Sequence, residues 1–339
     1  MVAVWGSGRA GAARRARSSF VALLLGVAIT TVTTAEPVCA DRPSAAPALE
    51  RLTRAMRDGR FITYQPLSLR VVDGRATRAD PLSIREDLSV LRPRFDALIT
   101  YGALNGAEAI PDIAALLHYR AVVIGVWNPF DDTEVDAALA AARRHPALVV
   151  GLAVGNEWSF ARRPRAAELA ARFEALQRRA PELPLATAEP FHVFYPPSAA
   201  PLLARLDFLL PIVHPVFQPW FRGAPAANVA GFVSGVLDEL GRRFCGPLLV
   251  KETGSPTAPA ADGFSGERQA EIYRALAAAL APSRARAFSY FAAFDAPWRV
   301  ADEQAAPGVH PEEAHWGLYD AGRTAKPVIA VIPPLVSGY

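Results

Sequence analysis

Two glutamates stand where this sequence could carry out covalent chemistry. Glu157 closes the apolar run Leu148–Gly155 within Gly155-Asn156-Glu157, and Glu252 closes the run that starts at Leu248. A buried apolar run of this length reads as a strand covered on both faces. In a closed parallel sheet, the residues just past the strand ends share one mouth. Two carboxyls in one mouth suit the cleavage of a glycosidic bond. One must be protonated to help the leaving oxygen depart, and the other must be ionised to attack the anomeric carbon. In the retaining form they lie about 5–5.5 Å apart, so the charge on one raises the pKa of the other. We assign Glu157 as acid/base and Glu252 as nucleophile. Either glutamate alone could equally be a capping or ion-paired residue. Their joint placement, after the fourth and seventh runs, favours chemistry.

The elements that would position them recur along the chain. Eight strands are expected at Phe61–Tyr64, Ala97–Tyr101, Ala121–Trp127, Leu148–Gly155, Leu185–Glu189, Phe208–His214, Leu248–Glu252 and Ala287–Phe294. Amphipathic stretches lie between them, among them Thr133–Arg144, Arg165–Arg179, Ala227–Arg243 and Glu267–Leu280. In the second of these, Leu169, Phe173 and Leu176 share one helical face. Alternating strand and helix indicate an α/β fold. Eight such units predict a single-domain (β/α)8 TIM barrel over residues 61–336, with 41–60 as a lead-in. No phosphate-cradling glycine motif follows the first strand, which argues against a dinucleotide-binding sheet.

Composition narrows the function further. The chain has 339 residues, 51% of them hydrophobic, enough for one large core. Its net charge of +3 comes from 36 basic and 33 acidic residues. Lysine occurs only at Lys251 and Lys326, so the positive charge is almost all arginine. No basic stripe interleaved with aromatics is present, so a nucleic-acid partner is not expected.

At the N-terminus Arg9, Arg14, Arg15 and Arg17 precede an apolar run from Phe20 to Thr34, followed by Ala35 and Ala40. Residues 1–40 therefore read as a secretory signal, with an uncleaved membrane anchor as the alternative. The expected location is periplasmic or extracellular. Cleavage after Ala40 would remove Cys39 and leave Cys245 with no partner, as a small buried apolar residue.

Other polar and aromatic residues sit at the expected strand ends. Tyr64 could hydrogen-bond the nucleophile or a sugar hydroxyl. Trp127 and Trp298 are placed to stack on sugar faces, and Tyr101 stands at the same rim. Glu189 and Asp295 are candidates for binding sugar hydroxyls, and His214 for a hydrogen-bonded wall. His192, His214 and His315 lack the spacing of a metal motif, so neither metal nor cofactor is expected.

The segments Gly155-Asn156-Glu157, Glu252-Thr253-Gly254-Ser255-Pro256, Phe294-Asp295-Ala296-Pro297-Trp298 and His315-Trp316-Gly317-Leu318 occur in order along the chain. Together they resemble the signatures of glycoside hydrolase family 17, over about Phe61 to Pro327. The resemblance implies a barrel with the acid/base after strand four and the nucleophile after strand seven, acting on β-1,3-linked or β-1,3/1,6-linked glucan. It implies that Asn156 hydrogen-bonds the sugar 2-hydroxyl. A transglycosylase on the same substrates, using the same two glutamates, is the alternative to a hydrolase. A non-catalytic glucan-binding barrel is a further alternative, and a membrane glucan synthase is a conceivable neighbour.

The chain also departs from the family. Ala292 and Ala296 stand where members commonly carry glutamate, which bears on sugar binding near strand eight. Ile99 stands where an arginine is common. Ser255 replaces a tryptophan, which is expected to remove one apolar wall.

Overall fold

The computed structural model describes residues 36–161, 166–301 and 310–335. The arginine-rich and apolar stretch expected to direct export lies outside the described residues. All eight expected strands form: β1 Phe61–Tyr64, β2 Ala97–Thr100, β3 Ala121–Val126, β4 Val149–Asn156, β5 Leu185–Pro190, β6 Leu210–Ile212, β7 Leu248–Val250 and β8 Arg286–Tyr290. They are parallel in the order β6-β5-β4-β3-β2-β1-β8-β7. The bridges Leu209 to Leu248 and Ile212 to Glu252 join β6 to β7 and complete the ring. The fold is a (β/α)8 barrel.

Several strands are shorter than expected, β6 and β8 the most. In β6 the regular ladder covers Leu210–Ile212, with Pro211, which has no N–H to donate, at its centre. Regular pairing of β8 stops at Tyr290, and the chain beyond bonds to Thr253 and Thr63 on its neighbours and to residues 316–319. A short antiparallel hairpin, Val71–Val72 with Arg75–Ala76, was not anticipated. Its turn is Asp73-Gly74, both at positive φ (50° and 71°), the Asp-Gly pairing that two-residue hairpins favour.

Strand alternation divides the core into two layers. Phe61, Ala97, Ile99, Ala121, Val123, Val150, Ala186, Ala188, Leu249 and Ala287 pack inside the ring. Ile62, Tyr64, Leu98, Val122, Leu152, Leu185 and Val250 pack outward, against a helical shell that includes Leu169, Phe173 and Leu176. The segment read as a lead-in carries the helix Ala46–Asp58. Its Leu52, Ala55 and Met56 are buried with the interior layer and plug the barrel.

The expectation for Cys245 is overturned. It is exposed and is joined to Cys39 in a disulfide that spans 206 residues. Val38 bridges Phe244 in parallel, the Val38 amide donates to the Arg243 carbonyl at 2.8 Å, and the Cys245 amide donates to the Val38 carbonyl at 3.2 Å. The chain before the plug helix thus lies beside the start of β7, a contact that spacing in sequence does not disclose.

Candidate active site

At the end of β4 the backbone turns sharply. Gly155 has φ 90° and Glu157 has φ 52°, a left-handed conformation uncommon for a residue with a side chain. The Glu157 amide donates to the Ala188 carbonyl at 2.7 Å, which ties this turn to β5. Backbone strain of this kind clusters at functional sites. At the end of β7, the Glu252 carbonyl accepts from the Val213 amide at 2.8 Å, and the Thr253 carbonyl accepts from the Phe291 amide at 2.9 Å. Gly254 follows at φ 155°, where a Cβ would stand 2.7 Å from Tyr290 Cζ. Glycine is required there by the close approach of β8.

The two glutamates have opposite electrostatic surroundings. Burial raises Glu157 above the ordinary glutamate pKa, and the Glu252 charge raises it further. Burial alone would raise Glu252 as well. Lys251, His214 and Arg299 more than offset that and bring it down to about 2. Lys251 Nζ lies 3.3 Å from Glu252 Oε1. His214 Nε2 lies 3.4 Å from Glu252 Oε2, and a carboxylate can only accept, so this nitrogen carries the proton. The histidine is wedged against Phe217, Phe291 and Trp316. One carboxyl is thus held ionised while its neighbour favours the protonated form, the division that places an acid beside a nucleophile.

Asn156, Tyr101 and His214 gather around this pair. The Asn156 Oδ1 accepts from the Lys251 ammonium. Tyr101 continues the inward register of Ala97 and Ile99, and its ring lies 4.0 Å from Lys251 Nζ. Trp127 is exposed at the rim, with its ring centre 6.5 Å from that of Tyr101. Trp298 lines an adjoining recess of about 150 Å³ with Gln65, Arg70, Ala292, Ala296 and Arg299. Both alanine departures therefore line the cleft. Asp295 borders the same recess, but its Oδ1 accepts from Lys326 Nζ at 2.6 Å and from the Gly317 amide at 2.8 Å.

Two expected site residues are withdrawn from the cleft, and one physical reason covers both. Tyr64 and Glu189 fall on the outward register of β1 and β5. Tyr64 is fully buried and donates to Asp87 Oδ2 at 2.8 Å. Asp87 also accepts from Arg323 Nε at 2.9 Å, so the pair fastens β1 to the helical shell. Glu189 is fully buried and accepts from the Ser159 and Phe160 amides at 2.8 and 3.1 Å, supporting the turn that carries Glu157. Ser255 is likewise buried, with its amide donating to the Tyr290 hydroxyl, so this position forms no wall of the cleft. Lys251 and Arg299 were not foreseen as site residues. The available signal was a lysine directly before a strand-end glutamate, in a chain with only two lysines.

Solved structures share this architecture. The glycoside hydrolase family 17 β-1,3-glucanosyltransferase from Rhizomucor miehei aligns with a TM-score of 0.63 at 22% identity, covering 80% of this chain and 97% of that one. Its active-site mutant in complex with laminaritriose gives the same score and identity, over 81% and 97%. An endo-laminarinase from Formosa Hel1_33_131 aligns with a TM-score of 0.63 at 18% identity, over 80% and 85%. At these identities the likeness is one of fold. No curated protein sequence matches the chain. The family model for the BtgE/BtgC glycoside hydrolase domain matches residues 62–317, which include both strand-end glutamates, and the chain belongs to that family.

Proposed function

We propose that the protein acts on β-1,3-linked glucan with retention of anomeric configuration. The observation that carries this reading is the opposed state of the two carboxyls, Glu252 held ionised and Glu157 raised. A Glu252 oxygen attacks the anomeric carbon as the bond to the glycosidic oxygen breaks. That oxygen keeps the electron pair and takes the Glu157 proton. The second half returns the proton: water, or a sugar hydroxyl, attacks the anomeric carbon, gives its proton to Glu157 and releases Glu252 from its ester. The glucan assignment draws on the laminaritriose-bound glucanosyltransferase and the laminarinase, which share this barrel. Hydrolysis and transfer use the same two glutamates and differ in which acceptor reaches the ester.

We also propose that the chain is exported and that any cleavage occurs before Cys39. The disulfide to Cys245 supports this, because such bonds persist in oxidising compartments. The deciding experiment is a time course on laminari-oligosaccharides in 18O-labelled water, followed by mass spectrometry and by NMR of the first anomer formed. Shorter products carrying label indicate hydrolysis, and unlabelled products longer than the substrate indicate transfer. A first-formed α-anomer, or activity that survives in Glu252→Gln, would refute the proposal.

A further inference from the structure

Beneath the nucleophile the barrel holds a lysine that the two-carboxylate chemistry does not call for. Lys251 is 1% exposed, and it follows Leu249 on the inward face of β7. Its backbone is held on two sides: its amide donates to the Pro211 carbonyl at 3.0 Å, and its carbonyl accepts from Thr63 Oγ1 at 2.5 Å. A buried ammonium needs partners for its charge and its three donors. Here one donor goes to the Asn156 amide oxygen, while the charge faces Glu252 Oε1 at 3.3 Å, an ion pair without a hydrogen bond, and the Tyr101 ring at 4.0 Å. The interior face of β2 supplies Ala97 and Ile99 below Tyr101, and so no cation.

We infer that Lys251 is a positioning residue for the reaction proposed above. It keeps Glu252 ionised and oriented from below, and it fixes which way the Asn156 amide faces. An ammonium has no acceptor, so only the amide oxygen of Asn156 can face it. The Asn156 NH2 group is then left as the donor for a sugar hydroxyl. One side chain thus sets both the charge of the nucleophile and the polarity of its neighbour.

The other charged and titratable groups facing Glu252 are His214 after β6, Arg299 after β8, Glu157 after β4 and Tyr101 after β2. His214 shares a hydrogen bond with it, and Arg299 is turned toward Phe291, with its guanidinium 4.8 Å from that ring. Lys251 is therefore the closest full positive charge that is enclosed with the nucleophile.

The test rests on the nucleophile assignment and is built to fail separately from it. In Lys251→Met, the rate at which an activated 2-deoxy-2-fluoro-β-glucoside labels Glu252 should fall on the acid side, on the order of tenfold one pH unit below its new midpoint. That midpoint should lie clearly above the wild-type value of about 2. A folded Lys251→Met with the wild-type acid limb overturns the inference. Protein with glutamate labelled at the carboxyl carbon, wild type beside Lys251→Met, gives a second reading that needs no substrate. The 13C resonance lost in Glu252→Gln should remain that of a carboxylate down to pH 4 in the wild type and should titrate at higher pH in Lys251→Met. If it titrates near the ordinary glutamate range in the wild type, Lys251 does not hold the charge, even if the protein cleaves glucan. A wild type inert on every β-glucan would instead refute the proposed function and leave the NMR result to decide on Lys251.

Discussion

Glu189 should impose a pH dependence on stability that a single substitution removes. The side chain is fully buried, and burial raises its pKa from 4.5 to about 7, against the pull of the two amides it accepts from. The Glu157 charge adds to the rise. Between these values the folded protein keeps a proton that the unfolded chain releases. The folded state therefore binds more protons, and stability falls as pH rises from about 4.5 to about 7. Each pKa unit is worth about 1.4 kcal/mol, so the loss across this window is about 3 kcal/mol. Glu189→Gln cannot ionise and keeps one acceptor oxygen for the Ser159 and Phe160 amides, a loss common to both pH values. Urea unfolding of both proteins at pH 4 and pH 8 isolates the effect, because most other titrations cancel in the difference. The variant should gain about 3 kcal/mol on the wild type from the acid to the alkaline condition. A difference that stays flat within about 0.5 kcal/mol would show that Glu189 is ionised throughout, held by its two amide donors.

The remaining predictions concern the reaction, the barrel floor and the covalent clip. Glu157→Ala should lower kcat on laminari-oligosaccharides by about 10²–10⁴. A glycoside whose leaving group needs no proton, such as dinitrophenolate, should be cleaved with little change in the first step, and equal losses on both would refute the acid role. The kcat/KM profile of the wild type should stay flat well below the ordinary glutamate range, since Glu252 ionises at about 2, and should fall on the alkaline side as Glu157 loses its proton. Leu52→Ala in the plug helix should cost about 2–5 kcal/mol in chemical denaturation, with kcat unchanged because the plug lies at the barrel end away from the carboxyls. Cys39→Ser should cost about 2–4 kcal/mol of stability and spare turnover; an inactive but folded variant would place the N-terminal segment in the site.

Much of this fold is legible in the sequence. The eight strands are continuous apolar runs because they are covered on both faces, and the runs after positions 148 and 248 end in the two glutamates. Period and order together specify which residues close a strand, and in a barrel those residues share the mouth. Leu169, Phe173 and Leu176 face the core as their helical spacing requires. The hairpin at Asp73-Gly74 was also legible in principle, from its turn residues, and was missed.

What the sequence could not decide is the register of single side chains and the contacts between distant segments. Whether Tyr64 and Glu189 enter the cleft depends on one-residue parity, and apolar runs without alternation carry no parity signal. Closure of the barrel gives Phe61 and Ala188 the inside and turns Tyr64 and Glu189 outward, to Asp87 and to the Ser159 and Phe160 amides. The same parity turns Lys251 inward beneath Glu252, where its charge meets a carboxylate, an amide and a ring drawn from three strands. The pairing of Cys39 with Cys245 arises likewise, from the path of residues 36–40 beside the start of β7. The sequence determined the barrel and its two glutamates through local pattern. The tertiary structure decided their charge states, because burial and the cations that oppose it are brought together only when the ring closes.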